Sequence, residues 1–88
     1  MKNILITGVA GMIGSHLLDS ILEKDEYKVI GLDNLSYGKI ENIQHNLNST
    51  NFRFHNVDLL DFDTLKIISK NIDTIIHLAA VKKVGEKQ

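Results

Sequence analysis

The chain has 88 residues, 43% of them hydrophobic and 24% charged, a composition that suits one small domain burying about 60% of its unfolded surface on folding. A formal charge of −1, with Lys and Arg scattered, excludes the positive footprint that a nucleic-acid backbone requires. Cysteine is absent, so neither a disulfide frame nor a thiolate site can form, and a cytoplasmic location is the default expectation.

Ile4, Leu5 and Ile6 form an unbroken apolar run that stops at Thr7 and Gly8, the pattern of a strand buried on both faces of a parallel sheet. The run is too short for a signal-peptide core or a bilayer span, so neither export nor membrane anchoring is expected. From Met12 to Lys24, Ile13, Leu17, Leu18, Ile21 and Leu22 recur at helical spacing. His16, Asp19, Ser20, Glu23 and Lys24 take the other face, which predicts an amphipathic helix. Tyr27 to Asp33 reads as a second strand and completes a β-α-β unit with a right-handed crossover.

Asn34 to Asn51 is a polar excursion in which Ile40, Ile43 and Leu47 predict a short helix. Phe52 to Val57 predicts a third strand with one wetter face, near the sheet edge, and Phe52 and Phe54 are core candidates. Asp61 or Asp63 can cap a helix that turns Phe62, Leu65, Ile68 and Ile72 inward, and Asp73 to Leu78 supplies a fourth strand. The element order is β-α-β-α-β-α-β.

Chemistry concentrates between the first strand and the first helix. Gly8, Gly11 and Gly14 stand at the spacing G-x-x-G-x-x-G. Gly8 permits the tight turn, Gly11 lets the backbone approach a pyrophosphate, and Gly14 lets helix and strand pack closely. Amides near Met12 and Ile13 then present the positive end of the helix dipole to an anion. A glycine triplet alone also serves a purely steric turn. Here it follows a strand and opens a helix, and Asp33 comes nineteen residues after Gly14 at the end of the second strand, where ribose hydroxyls lie in a dinucleotide site. The alternative for Asp33 is a turn residue opening the Asn34 loop. Its carboxylate accepts hydrogen bonds from a ribose and repels a 2′-phosphate, which favours NAD over NADP, although Lys39 within reach keeps NADP open.

The alternation of strands and helices therefore predicts an α/β fold of three layers, Rossmann-like, with a parallel sheet in the order 3-2-1-4. The sequence contains no proline, no repeat and no linker, so residues 1–88 read as one NAD(P)-binding domain. A complete dinucleotide fold continues beyond a fourth strand, which makes this an incomplete, truncated N-terminal half. An unpaired fourth-strand edge predicts a homo-oligomer assembled through that edge.

Four histidines, His16, His45, His55 and His77, fall on separate segments without metal-ligand spacing, so no metal site is expected. His77 reads as structural. Residues 31 and 41 are Gly31 and Glu41, so neither Tyr27 nor Tyr37 begins a Tyr-x-x-x-Lys pair. No catalytic acid or base is identifiable.

Thr7-Gly8-x-x-Gly11-x-x-Gly14, Asp33-Asn34-Leu35-Ser36, Asp58-Leu59 and His77-Leu78-Ala79-Ala80 together resemble the extended short-chain dehydrogenases/reductases. The Asp-Asn-Leu-Ser loop and the ending Val81-Lys82-Lys83-Val84-Gly85-Glu86 are most similar to the UDP-glucose (UDP-galactose) 4-epimerase group. The resemblance implies that Gly8, Gly11, Met12 and Ile13 touch the pyrophosphate and Asp33 the adenosine ribose. It places Asn34, Ser36 and Gly38 at the phosphate-ribose edge and Asp58 and Leu59 at the adenine. Leu78, Ala79 and Ala80 line the path to the nicotinamide, and Lys82 meets phosphate or substrate. Asp58 also reads as an ordinary turn residue, and Lys82 as a solvated surface charge.

The same resemblance implies a parent that epimerises UDP-sugars at C4 by transient hydride transfer to NAD. The family's Ser/Thr and Tyr-Lys set is expected beyond Gln88, so this chain alone is expected to be inactive. Lys87-Gln88 departs from the serine that often follows Gly-Glu in the epimerases. Two other readings stay open: part of an NAD-dependent sugar-nucleotide dehydratase or decarboxylase, and a non-enzymatic dinucleotide-binding module that self-associates.

Overall fold

The computed structural model describes residues 1–58 and 61–79. Strand β1 (Lys2–Thr7) leads into helix α1 (Met12–Glu23) and strand β2 (Tyr27–Asp33). Strand β3 (Phe52–Asn56), helix α2 (Phe62–Ile68) and strand β4 (Thr74–His77) follow. All strand pairs are parallel and the sheet order is β3-β2-β1-β4, as the alternation of elements predicts.

Central β1 has a neighbour on each side, and its residues Ile4 to Thr7 are buried. In register, Ile4 faces Val29 and Thr74, and Ile6 faces Gly31 and Ile76. One face of the sheet holds the main core, in which Ile4, Ile6, Val29 and Phe52 meet Leu18 and Ile21 of α1 together with Val9, Ala10 and Ile43. Gly31 in β2 makes room for this packing, since a Cβ there would lie 2.7 Å from Val9 and 2.8 Å from the Phe52 ring.

Two inward assignments are corrected. Ile13 is 72% exposed; the buried face of α1 is Gly14, Ser15, Leu18 and Ile21, and position 13 lies on the open first turn. Phe62 is 71% exposed, because α2 starts to pack only one turn later, at half-buried Leu65, with Ile68 and Ile72 beyond it. The cap of α2 is Asp61, which accepts hydrogen bonds from the Thr64 amide (3.2 Å) and hydroxyl (2.7 Å). These two bonds hold the Asp61 carboxyl below its ordinary range.

The helix expected in the polar excursion is instead two short 3-10 turns, Ile40–Asn42 and Gln44–Asn46. Ile43 between them leaves helical geometry, at φ −121° and ψ 4°, while its side chain plugs the core at 0% exposure. Asn42 and Asn46 send their side chains to Ala10 and Asp19 and so tie the two turns to the glycine-rich loop and to α1; short 3-10 turns are common in such connectors. Among the described residues, no helix is long and apolar enough to cross a membrane.

Candidate functional site

The glycine-rich turn sits at the C-terminal end of β1, where the order of strands reverses between β2 and β4. In an open α/β sheet this is the crevice that receives ligands. Both flanking strands hold the turn. Leu32 at the end of β2 accepts the amides of Gly8 (2.8 Å) and Val9 (3.2 Å) through its carbonyl. On the other side, the Thr7 hydroxyl accepts the amides of Leu78 (3.0 Å) and Ala79 (3.3 Å) and lies 2.7 Å from Nδ1 of His77. Thr7 thereby links the end of β1 to three successive residues, His77, Leu78 and Ala79, at the end of β4.

Gly8 has φ +73°, and a Cβ there would come within 2.8 Å of the Ala79 backbone. The turn thus needs glycine both for its left-handed conformation and for the closeness of β4. Gly14 is buried against the backbone of Gly8 and Val9. Gly11 is the N-cap of α1; its carbonyl accepts Ser15 N–H at 2.9 Å and its own amide is spent on Gly8 at 3.1 Å. The next three amides, of Met12, Ile13 and Gly14, have no acceptor among the described residues. They are the orphan donors of a helix start, free to bind an anion.

Asp33 ends β2 and is 8% exposed. Its Oδ2 accepts the Ala10 amide at 2.9 Å, and its Oδ1 accepts the Leu35 amide at 2.8 Å. Beyond any contact with a ligand, the carboxylate therefore ties the glycine-rich turn to the loop after β2. Each oxygen keeps a further lone pair for another donor. That loop folds tightly: Leu35 sits at φ +63°, and Asn34 accepts the Ser36 amide at 2.9 Å through its side chain. Gly38 lies over the turn, where a Cβ would meet Ala10 at 2.7 Å and the Asp33 carboxylate at 2.9 Å.

Gly8, Gly11, Met12, Ile13, Gly14, Asp33, Gly38, Leu78 and Ala79 are thus gathered at the C-terminal end of the sheet. Asn34 and Ser36 lie in the adjoining loop, exposed, and Asp58 follows β3, also exposed. Leu59, Ala80 and Lys82 lie outside the described residues. Among the described residues no group of three or more His, Cys, Asp or Glu is arranged to hold a metal ion.

Thr7 was read from the sequence only as the end of the first strand and the start of the glycine motif, with no role of its own, and Ala10 and Asn42 were not singled out. Ala10 is fully buried, and its carbonyl accepts both the Lys39 amide (3.1 Å) and Asn42 Nδ2 (2.8 Å). A hydroxyl residue closing an otherwise apolar strand was the one available signal for Thr7. For Ala10 and Asn42 there was none, because their link spans the chain from residue 10 to residue 42.

The family model described as "NAD dependent epimerase/dehydratase family" matches residues 4–88. A UDP-glucose 4-epimerase of Mycolicibacterium smegmatis is 43% identical over 77 residues, covering 86% of this chain and 24% of that protein. A dTDP-glucose 4,6-dehydratase of Bacillus anthracis, solved in complex with NAD, superposes with a TM-score of 0.88 at 29% identity, over 92% of this chain and 27% of that one. A UDP-glucuronic acid 4-epimerase of Bacillus cereus, solved with UDP-glucuronic acid and NAD, gives a TM-score of 0.82 at 39% identity, over 93% and 27%. The chain spans between 12% and 26% of the length of such curated relatives.

Proposed function

The chain belongs to the NAD dependent epimerase/dehydratase family, and from that premise we propose that it is the NAD-binding portion of a nucleotide-sugar epimerase acting on a UDP-sugar at C4. One observation carries the cofactor reading: three adjacent amides, of Met12, Ile13 and Gly14, lie open at the strand-order reversal, on the turn that Asp33 secures. The residues present fit a dinucleotide. The amides and the helix dipole hold the pyrophosphate, and the remaining lone pairs of Asp33 accept the adenosine ribose hydroxyls. The same carboxylate repels a 2′-phosphate, so NAD is preferred to NADP. Asn34, Ser36 and Gly38 border the ribose, Asp58 and Leu59 the adenine, and Leu78, Ala79 and Ala80 the path to the nicotinamide. Lys82 completes the set beside phosphate or substrate.

When bound, NAD supplies a hydride acceptor at the nicotinamide. This chain's own contribution is to bind and orient. Neither Tyr27 nor Tyr37 begins a Tyr-x-x-x-Lys pair, so no turnover of a UDP-sugar is expected of the 88 residues alone. The superposition on a dTDP-glucose 4,6-dehydratase supports a second reading, in which the parent enzyme is a dehydratase that uses the same cofactor half. We also propose that the outer edge of β4, where Ile75 is 58% exposed, pairs with another copy.

Calorimetric titration of the 88-residue chain with NAD and NADP tests the cofactor reading. Saturable NAD binding, weaker NADP binding and loss of both in Asp33→Ala are expected. A folded wild-type chain that takes up no NAD overturns the reading.

A further inference from the structure

Asn42 lies outside the glycine motif and outside the Asp33 loop, yet its side chain reaches back 32 residues to the Ala10 carbonyl. That carbonyl already accepts the Lys39 amide at 3.1 Å. A carbonyl oxygen has two lone pairs, so the 2.8 Å bond from Asn42 Nδ2 completes its saturation. The position matters because Ala10 precedes the N-cap Gly11. In regular helical geometry a carbonyl accepts from the amide four residues on, which for Ala10 is Gly14. Turned that way, the Ala10 oxygen would consume the Gly14 N–H and bring a negative dipole into the cluster of open amides.

We propose that Asn42 is a positioning residue for the pyrophosphate: with Lys39 it holds the Ala10 carbonyl away from the start of α1, keeping the Gly14 amide open and the anion subsite free of a competing acceptor. The inference rests on the dinucleotide reading above and concerns only the phosphate part of the ligand. Adenosine, which has no phosphate, draws on Asp33, and Asp33 keeps its own bonds to Ala10 and Leu35.

The test measures NAD by calorimetry, and adenosine by competition against NAD, in the wild-type chain, Asn42→Ala, Asn42→Asp and Asn42→Gln. Loss of one hydrogen bond corresponds to about a fivefold effect, so Asn42→Ala is expected to bind NAD about fivefold more weakly. Asn42→Asp has the same shape but sets a carboxylate against the Ala10 oxygen, and its loss should exceed roughly tenfold. Asn42→Gln keeps a donor on a longer stem and should lose less than Asn42→Ala. Adenosine affinity should stay within about twofold throughout, an outcome that a merely structural role would not give. Asn42 is exposed, and the isosteric Asp variant opens no cavity, so native circular dichroism is expected of it. Equal weakening of NAD and adenosine, or no weakening of either, overturns the role of Asn42 while leaving wild-type NAD binding intact. A wild-type chain that binds no NAD removes the dinucleotide reading and this role with it.

Discussion

Replacing Asp33 by Asn separates the structural work of this carboxylate from its work on a ligand, because the change keeps its shape. In the native chain one oxygen takes the Ala10 amide at 2.9 Å and the other the Leu35 amide at 2.8 Å, at a residue only 8% exposed. An asparagine has one acceptor oxygen, so one of the two amides must face an NH2 donor. The oxygen is expected to stay with Ala10, the more deeply buried partner, and the donor conflict to fall on half-buried Leu35, where water partly relieves it. A hydrogen bond to a charged group contributes about 1.5–3 kcal/mol, and an unmade buried donor costs about 1–3 kcal/mol. With partial hydration these combine to a loss of about 2 kcal/mol for Asp33→Asn, and to about twice that for Asp33→Ala, which loses both bonds. The chain contains no tryptophan, so urea denaturation is followed by far-ultraviolet circular dichroism, without any ligand. For a domain of this size the Asn variant should melt roughly 8–16 °C lower. A ligand-free Asp33→Asn chain within about 0.5 kcal/mol of wild type would refute the tethering role.

Other outcomes follow from the same geometry. Thr7→Val preserves shape but leaves the Ala79 amide without its acceptor, while Leu78 retains the Thr7 carbonyl at 3.1 Å; a loss of about 1–2 kcal/mol and faster hydrogen exchange at Ala79 are expected, and unchanged exchange there would count against the clamp. For Asp19, burial raises the carboxyl, but hydrogen bonds from His45 (2.8 Å) and Asn46 (2.6 Å), with the charges of His45 and His16, outweigh it and hold the group below 3.8. A lowered folded value means that the contribution is complete above the unfolded value and disappears as pH falls from 3.8 through the folded one. An NMR titration should therefore show the Asp19 midpoint rising in His45→Ala, and an unmoved midpoint contradicts the assignment. Ile75→Lys charges the outer edge of β4, so light scattering should find less association than in wild type; a wild-type chain that is already monomeric at working concentration refutes edge pairing.

The sheet was legible because its strongest signal is local: Ile4, Leu5 and Ile6 form a short apolar run closed by a glycine turn, the pattern of a strand with neighbours on both sides, and glycine spacing marks where the next helix begins. Helix faces were legible in the middle and not at the ends. Leu18 and Ile21 are buried as periodicity requires, whereas Ile13 and Phe62 occupy first turns, where the periodic pattern continues after contact with the sheet has ceased. The excursion after Asp33 misled for another reason, since Ile40, Ile43 and Leu47 have helical spacing but Ile43 leaves helical geometry, with its side chain in the core, between two short 3-10 turns. The glycines and Asp33 were visible as a motif. What Asp33 binds within the protein was not, because Ala10 looks like a filler residue until the turn is folded.

The central claim is most directly tested by titrating the isotopically labelled 88-residue chain with NAD and following every backbone amide by NMR. Saturable shifts are expected to concentrate at Met12, Ile13 and Gly14 and around Asp33, with further shifts at Asp58, Leu78 and Ala79 and the N-terminal ends of the four strands nearly still. Shifts that bypass those three amides, or a folded chain with no response to NAD, would contradict it.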